Sequence, residues 1–230
     1  MLAERAISEE LLDEPGVDPT LAAASYRFMH MVNHVFGGAA PVRRFIRAQA
    51  AALREDRPLH VLDVGAGDCG LPLALLAWAD RQGLDVRFTC VDLCDHAAEM
   101  AREAIRAAGD ERCTFNHSDV FHMEPGPWDC AVASMFLHHF PDESIPGLAA
   151  HVCDLVSGPV LINDLHRSWS TYAGAWLLTR GRHPGVKHDA LLSVRRGFRA
   201  PQLADLLGRV SGRTARVMTH FPGRITAVIQ

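Results

Sequence analysis

Residues 61–70, VLDVGAGDCG, combine a carboxylate with three glycines. Apolar β-forming residues lead into Gly65, Gly67 and Gly70, and the apolar run LPLALLAWA follows directly. This order is typical of a buried parallel strand, a tight glycine turn and the start of a helix. Glycine lets the backbone approach a ligand closely, and the helix start offers unpaired N–H groups to polar or negative ligand groups. The segment therefore predicts a site for a nucleotide-type ligand.

Asp63 narrows the choice of ligand. It lies in the strand two residues before the first glycine, where a dinucleotide-binding sequence normally carries an apolar or small residue. The sequence of residues 61–70, with Asp63 before the glycines, resembles the first motif of class I S-adenosylmethionine-dependent methyltransferases. The resemblance implies that Gly65, Ala66, Gly67 and Gly70 wrap the methionine half of S-adenosylmethionine, and that Asp63 contacts its ammonium group directly or through water. A buried acid that only stabilises the turn is the alternative for Asp63.

Acidic residues also end the next two predicted strands. Asp92 ends FTCVDL, and a carboxylate there can accept hydrogen bonds from both ribose hydroxyls; an acid that favours the next helix N-terminus is the alternative. Asp119 and Val120 close the third strand, where the resemblance implies contacts with adenine, and capping of the following turn is the alternative. Leu93, beside Asp92, and Ser134, at the end of the fourth strand, are predicted to line the cofactor site.

A pair of histidines follows the fourth predicted strand in SMFLHHF, residues 134–140. Nucleic-acid amino-methyltransferases typically carry an [DNS]-P-P-[YFW] motif at this point, and that motif is absent. The Leu-His-His form resembles small-molecule and lipid-quinone methyltransferases instead. We expect His138 to contact the substrate and His139 to act in catalysis. Only one of the two is expected to face the cleft, while the other packs at the helix entry.

NDLHRS, residues 163–168, follows the fifth predicted strand. Ligands of open α/β sheets bind outside the carboxyl ends of the strands. His166 is therefore, with His139, a candidate general base, because histidine titrates near neutral pH. Arg167 is predicted to orient the substrate. The alternatives are that His166 packs under the next helix and that Arg167 pairs with an acid. Asn163 and Asp164 could belong to an Asp, Asp, Asn metal-binding set, but the sequence lacks the second acid of such a set, so no metal site is predicted.

Residues 168–199 form an insertion before the last predicted helix. SWSTYAGAWLLTR predicts a helix whose Trp169 and Tyr172 either form an aromatic wall for a planar substrate or pack in the core. His188, further along the insertion, is a second candidate for orienting the substrate. The insertion holds six arginines and lysines and one acid. A solvated basic face is the simplest interpretation, and contact with an anion or carrier protein is the alternative.

The N-terminal stretch VNHVFGG adds a narrower resemblance. Together with SMFLHHF, NDLHRS and HDALLSVRRGF it looks like bacterial methyltransferases that accompany type III polyketide synthases and modify phenolic lipids or related aromatics. The resemblance implies that an N-terminal helix folds over the cofactor and brings Asn33 and Gly38 close to it.

Strands and helices alternate through most of the chain. Helices at the N-terminus are broken at residues 15–19 and 37–38, with a final helix from about Pro41 to Arg54. Predicted strands at 59–64, 84–92, 113–117, 128–134 and 159–163 alternate with helices at 70–81, 95–108 and 142–156. A helix at 201–210 precedes two β-type runs about the turn Pro222-Gly223, which predict an antiparallel hairpin.

This pattern predicts an α/β fold. The resemblance specifies a seven-stranded, Rossmann-like class I methyltransferase sheet with a C-terminal antiparallel hairpin and a helical N-terminal cap. The predicted cap spans residues 1–57, and the S-adenosylmethionine-binding domain spans 58–230.

Composition limits the partners. The 230 residues suffice for one α/β domain, and a net charge of −4 gives no general electrostatic reason to bind nucleic acid or an anionic membrane. No apolar run approaches the roughly 18 residues of a membrane span, and the acidic first fifteen residues do not resemble a signal peptide. Six cysteines without a CxxC pair suggest reduced thiols and a cytoplasmic protein. We expect a small-molecule aromatic or lipid-like substrate, and a homodimer.

The predicted activity is methyl transfer from S-adenosylmethionine to an oxygen of a small aromatic or polyketide-derived molecule. A phenol with a pKa near 10 is mostly protonated at neutral pH, so a histidine base is useful. C-methylation of a quinone or polyketide ring, a nicotinamide-dependent reductase and a non-catalytic partner protein are the alternatives.

Overall fold

A seven-stranded mixed sheet forms the centre of the chain. The computed structural model describes residues 2–14, 16–35, 37–53 and 57–230. The strands lie in the order β3-β2-β1-β4-β5-β7-β6; β1 to β5 are parallel, and β7 runs antiparallel to both β5 and β6. Their bounds are β1 Leu59–Val64, β2 Val86–Asp92, β3 Cys113–His117, β4 Cys130–Ser134, β5 Val160–Leu165, β6 Ala215–His220 and β7 Arg224–Ile229. The predicted seven-stranded sheet and its terminal hairpin are confirmed.

Eight α-helices surround the sheet in the described part of the chain. They are α1 Pro19–Val35, α2 Ala40–Ala52, α3 Gly70–Gln82, α4 Asp95–Ala108, α5 Ile145–Leu155, α6 Trp169–Leu178, α7 Pro184–Arg196 and α8 Ala200–Leu207. Short 3₁₀ helices span Leu11–Asp13, Val120–His122 and Leu137–His139. The helix predicted from residue 142 begins three residues later, with Pro146 in its first turn, where a missing N–H does no harm.

Two differences from the predicted elements affect the site. β5 continues to Leu165 rather than ending at residue 163, because its last residues pair with β7 in the register Leu165–Arg224. The insertion contains a second helix, α7, that sequence analysis did not predict. Pro184 begins it, and the His183 side chain caps it by accepting a hydrogen bond from the Gly185 amide.

The core has one layer on each face of the sheet. On one face α5 and α8 pack on side chains that include Leu62 and Val64; on the other α2 and α3 pack on side chains that include Leu59 and Val61. This alternation along β1 follows the two-residue period of a strand and directs Asp63 to the α2–α3 side. Each large apolar side chain that is fully buried stabilises the fold by about 1.5–3 kcal/mol relative to exposure.

The two N-terminal helices lie in different places: α2 belongs to the core, and α1 covers the glycine loop. Helix α2 buries Val42, Phe45 and Ile46 against the sheet, whereas α1 lies over the glycine loop. Before α1, residues 2–13 run beside α7, where the Ala6 amide donates to the Arg195 carbonyl at 3.1 Å. Pro15 of the predicted break and Arg54 at the predicted end of α2 lie outside the described residues. The domain boundary at residues 57 and 58 stays a prediction.

Two further sequence expectations concern membranes and thiols. Across the described ranges, no helix combines the length and apolarity that crossing a bilayer requires. All six cysteines are free.

Candidate functional site

The glycine loop adopts the conformation that its sequence predicts. Gly65 and Gly67 take left-handed φ values of 69° and 56°, which side chains rarely tolerate. The Gly65 amide donates to the Val91 carbonyl at 2.9 Å, so the loop is tied to the end of β2. Cys69 also has a positive φ, 60°, immediately before α3. The loop therefore turns sharply at the exit of β1 and exposes its backbone to the space above.

Asp92 is held at the end of β2 by two backbone donors. The Gly67 amide donates to its Oδ2 at 2.8 Å, and the Cys94 amide donates to its Oδ1 at 2.9 Å. The carboxylate is half-buried, and the neighbouring Leu93 is exposed. Asp92 thus braces the glycine loop and still faces the adjoining cavity.

A cavity of about 760 Å³ lies above this loop, within the size range of cofactor sites. Eight of the predicted cofactor residues line it: Asn33, Asp63, Gly65, Ala66, Gly67, Asp92, Leu93 and Ser134. Residues that sequence analysis did not select also line it, among them Tyr26, Met29, His30 and Phe136. We call this space the loop cavity.

Asp63 contributes a buried carboxyl to the loop cavity. Burial raises its pKa well above the usual range, and the nearby Cys113 and Asp92 raise it further. A cationic ligand group beside this carboxyl would favour its ionised form. The residue therefore suits an ammonium group better than an anionic or apolar one.

Helix α1 contacts the glycine loop directly through two side chains. A Cβ on Gly67 would lie 3.0 Å from Cε1 of Tyr26, and a Cβ on Gly70 would lie 2.0 Å from Nε2 of His30. His30 also lies 3.0 Å from Oδ1 of Asp68, and this hydrogen bond raises the pKa of His30. Gly70 is thus covered by His30 and does not line the loop cavity.

Gly65 packs against an aromatic ring as tightly as its hydrogen allows. A Cβ there would lie 2.1 Å from Cδ2 of Phe136, whereas Gly83, with a similar φ of 66°, has nothing within 4 Å of its Cβ position. We expect Gly83→Ala to lower the free energy of unfolding by about 1 kcal/mol through backbone strain alone. Gly65→Ala should lower it by about 2–3 kcal/mol, because Phe136 must also move.

Displacement of Phe136 into the loop cavity should weaken binding as well. We expect Gly65→Ala to reduce affinity for S-adenosylhomocysteine at least about tenfold, equivalent to ~1.4 kcal/mol, with Gly83→Ala unchanged. Urea unfolding and titration calorimetry measure both effects. Equal losses in the two variants would show that the contact with Phe136 is unimportant.

Asp119 and Val120 lie away from the loop cavity lining. The Asp119 carboxylate accepts a hydrogen bond from the Phe121 amide at 3.0 Å and caps the 3₁₀ helix Val120–His122. The Val120 side chain is buried among core residues of the α5 face. Their predicted contact with adenine stays a prediction.

A second cavity, of about 560 Å³, adjoins the first. The two share Leu12, Met29, Asn33, Met135 and His139. Its walls are mostly apolar side chains of α1, α6 and α7, including Phe28, Val32, Leu178, Val186 and Val194. The predicted residues Asn33, Gly38, His138 and His139 line it. We call this space the apolar cavity.

His139 lies where the two cavities meet. Its Nδ1 lies 2.7 Å from Oδ2 of Asp13, which fixes the ring and assigns the Nδ1 proton to that bond. Sequence analysis did not select Asp13, because the two residues are 126 positions apart. The pair is partly exposed, with roughly a quarter of the His139 side chain accessible.

His138 is fully buried between two carboxylates. Its Nδ1 lies 2.7 Å from Oδ1 of Asp164, and its Nε2 lies 3.4 Å from Oε1 of Glu10 in an ion pair too poorly aligned for a hydrogen bond. Burial alone would lower the pKa of His138, but Asp164 and Glu10 raise it to about 9. Burial would likewise raise the pKa of Glu10, but His138, His139 and Ser193 lower it to about 2. We call Glu10, His138 and Asp164 the buried ion triad.

Five of the residues predicted for catalysis or substrate binding line neither cavity: His166, Arg167, Trp169, Tyr172 and His188. The His166 amide donates to the Gly223 carbonyl at 2.9 Å, because β5 and its pairing with β7 continue up to this residue. Burial lowers the pKa of the His166 imidazole, and Arg199 lowers it further. Nδ1 of His188 lies 3.0 Å from Oδ1 of Asp189.

Arg167 ties the N-terminal segment to the domain. Its guanidinium donates to the carbonyls of Leu2 and Gly197 and to the Gln202 side chain, at 3.3, 2.6 and 2.9 Å. Replacing it with methionine leaves the Gly197 carbonyl without this donor, while the Leu2 carbonyl keeps its hydrogen bond from Arg199, so we expect the free energy of unfolding to fall by about 2 kcal/mol. Affinity for S-adenosylhomocysteine should be unchanged. Urea unfolding measures the loss, with the exposed Arg87→Met as control.

Within the part of the chain that the structure describes, two groups of donor atoms lie close enough to hold a metal ion: Glu10, His138 and His139, and Cys69, Cys90 and Cys113. In the first group, the buried His138 ring is already engaged, because its Nδ1 lies 2.7 Å from Oδ1 of Asp164. The three thiols are buried in the core beneath the glycine loop. Asn163 and Asp164 are already engaged, Asn163 with Gly38 and Ser134 and Asp164 with His138.

Comparison with known proteins agrees with this arrangement. Residues 61–157 match the profile of a family described as a methyltransferase domain. This match supports an S-adenosylmethionine-dependent methyltransferase. No curated protein matches the sequence.

Solved structures share the fold across almost the whole chain. A candidate O-methyltransferase of Nostoc punctiforme PCC 73102 has a TM-score of 0.62 at 18% identity, over 99% of this chain and 64% of its own. The plantazolicin methyltransferase BamL, solved with a triazolic desmethylPZN analog and SAH, has a TM-score of 0.69 at 14% identity, over 95% and 92%. Magnesium protoporphyrin IX methyltransferase of Synechocystis PCC 6803, with bound SAM, has a TM-score of 0.57 at 13%, over 95% and 86%.

Three observations of this chain support a fit between the methyl donor and the loop cavity. The backbone of Gly65 and Gly67 lines the loop cavity without any side chain of its own. Asp63 presents a buried carboxyl suited to an ammonium group, and Asp92 presents a carboxylate at the end of β2.

Proposed function

We propose that this methyltransferase transfers a methyl group from S-adenosylmethionine to an oxygen of a small aromatic or polyketide-derived, lipid-like molecule. The observation that supports this most directly is the Asp13–His139 pair at the junction of the loop cavity and the apolar cavity. A donor in the first cavity and an apolar acceptor in the second would meet beside this imidazole.

The cofactor residues receive the following proposed roles. Asp63 would hold the ammonium group of the methionine half, and the backbone of Gly65 and Gly67 would hold the rest of that half. Asp92 accepts hydrogen bonds from the ribose hydroxyls while it keeps the Gly67 amide in place. Contacts of Asp119 with adenine are part of the same proposal.

The chemistry needs little covalent help from the protein. The bound sulfonium supplies an electrophilic methyl group. The protein must hold the acceptor oxygen in line with that group, and such positioning can supply several kcal/mol. His139 accepts the phenolic proton at Nε2, because its Nδ1 proton is bonded to Asp13. Asp13 thereby sets the tautomer and stabilises the imidazolium that forms.

The apolar cavity selects the acceptor. Phe28, Val32 and Leu178 offer a surface for aromatic rings or alkyl chains. Ser25 also lines the cavity, and its buried hydroxyl has no hydrogen-bond partner among the described residues. It can therefore bind a polar group of the acceptor. Association with a type III polyketide synthase and assembly into a homodimer belong to the same proposal.

The direct test is a panel of resorcinols, naphthols and quinones with a tritiated methyl donor. We expect transfer to phenols with alkyl or aryl substituents, and an O-methyl group in the product by mass spectrometry and NMR. A methyl group on ring carbon would replace the proposal with C-methylation. Binding of S-adenosylhomocysteine without transfer to any acceptor would instead favour a non-catalytic partner protein.

A further inference from the structure

Helix α6 is apolar and mostly uncovered. Of its residues, WSTYAGAWLL, only Thr171 is buried. The side chains of Trp169 and Leu177 are 64% and 59% exposed, and that of Trp176 is 44% exposed. Single exposed apolar residues are ordinary on a protein surface, but a continuous helix face of this kind marks a contact surface.

This face borders the entrance of the apolar cavity. Leu177 lines the cavity and is nevertheless 59% exposed, and Phe221, on the turn between β6 and β7, lines it and is 97% exposed. The apolar lining therefore continues outward onto the exposed surface of α6. An apolar molecule could pass from that surface into the cavity without crossing a polar rim at these residues.

Cations lie close to Trp176 on this face and to Phe28 in the cavity wall. The Arg180 guanidinium lies 5.1 Å from the centre of the Trp176 ring, and the Lys187 ammonium lies 5.8 Å from it. Arg182 lies 5.2 Å from the Phe28 ring. No acid occurs in the sequence from His166 to His188, although the whole chain has a net charge of −4. Tryptophan beside lysine and arginine is the composition that favours a negatively charged membrane interface.

We propose that the α6–α7 face, formed by Trp169, Trp176, Leu177, Arg180, Arg182, Lys187 and Phe221, binds an anionic lipid bilayer surface. The apolar residues enter the interfacial layer, and the cations contact lipid phosphates. The apolar cavity then opens toward the bilayer, so that a lipid-like acceptor enters directly from it. The identity of this acceptor rests on the proposed function, whereas the binding of lipid does not.

Sedimentation with vesicles tests the surface. We expect the full chain to bind vesicles of phosphatidylcholine with phosphatidylserine, to bind phosphatidylcholine vesicles weakly, and to lose binding as salt is raised. Tryptophan emission should shift to the blue on binding. Arg180→Glu with Lys187→Glu should weaken binding at least about tenfold, since each cation near an anionic leaflet contributes. Trp169→Ser with Trp176→Ser should weaken it by a similar factor.

A matched control separates a local site from general charge. Arg81→Glu with Arg87→Glu changes the net charge equally at exposed positions of α3 and β2, outside the insertion, and it should leave vesicle binding unchanged. All variants should retain S-adenosylhomocysteine binding and circular dichroism of the wild type. Failure of the wild type to bind anionic vesicles, or equal losses in the control, overturns the proposal.

Two further outcomes distinguish the explanations. If Trp169→Ser with Trp176→Ser abolishes a dimer seen by analytical ultracentrifugation and vesicle binding is unaffected, the face belongs to a second copy, and the proposal is wrong. Methylation of a water-soluble phenol, assayed without lipid, tests the proposed function separately. Vesicle binding without any methylation would contradict only the proposed function. Methylation without vesicle binding would contradict only the proposed lipid-binding face.

Discussion

Replacing Asp164 with asparagine is expected to lower the free energy of unfolding by about 3–5 kcal/mol. The Asp164 carboxylate accepts hydrogen bonds from the backbone amide and Nδ1 of His138 and from the Leu165 amide, at 3.1, 2.7 and 2.7 Å. Both side chains are almost inaccessible to water. The substitution therefore leaves a buried imidazolium with only the longer ion pair to Glu10.

The buried ion triad also predicts how stability varies with pH. The His138 pKa is about 9 in the folded protein against 6.5 for an unperturbed histidine. Its contribution is therefore complete below pH 6.5 and is lost as pH rises toward 9, a change of about 3 kcal/mol. The lowered pKa of Glu10, about 2 against 4.5, adds stability above pH 4.5 that is lost as pH falls toward 2. Stability should be greatest between these limits.

Urea unfolding at a series of pH values measures both effects. The wild type should lose stability from pH 6.5 to pH 9, and Asp164→Asn should show a smaller loss over that range. Asp205→Asn is the control, because Asp205 pairs with Arg209 on the surface and such pairs contribute less than about 1 kcal/mol. A wild-type curve that is flat from pH 6.5 to 9 would contradict the charged state of His138.

The triad also shows what sequence analysis missed and why. Glu10, His138 and Asp164 are far apart in the chain, and an acidic N-terminal stretch carries no local sign of where it will dock. The same holds for Asp13, which contacts His139 only because residues 2–13 run beside α7. Such contacts depend on tertiary packing rather than on spacing.

The glycine loop was predictable for the opposite reason. Asp63, Gly65, Gly67 and Asp92 lie within one strand–turn–helix–strand unit, so their mutual positions follow from strand period and the turn. The hairpin at β6–β7 followed in the same way from two β-type runs about a Pro-Gly turn. The cofactor side of the site is thus largely local in sequence, and the acceptor side is not.

The two candidate bases illustrate that limit. Both His139 and His166 follow a strand whose carboxyl end lies at the ligand-binding edge, so spacing could not separate them. β5 continues to Leu165 because it pairs with β7, and this carries His166 past the cavities. β4 ends at Ser134, and the turn at Met135, with a φ of 59°, leads the chain back toward the cavity wall. The position of His139 depends on that turn.

Replacing His139 with glutamine is expected to lower kcat for a phenolic acceptor by 10²- to 10³-fold, in the range of general-base catalysis. Affinity for S-adenosylhomocysteine should stay the same, because the predicted cofactor contacts do not involve the imidazole. Asp13→Asn should lower kcat at least about tenfold, since the tautomer of His139 is then no longer fixed. His166→Gln, at the other strand end, should retain the kcat of the wild type.

The acidity of the acceptor makes this test specific for a base. A phenol that is already ionised at the assay pH needs no proton transfer, so the deficit of His139→Gln should shrink toward the wild-type rate with a nitrophenol acceptor. Initial rates with two acceptors of similar size and different acidity, at saturating methyl donor, measure the effect. A deficit of the same size with both acceptors would mean that His139 positions the acceptor and that the proton leaves by another route.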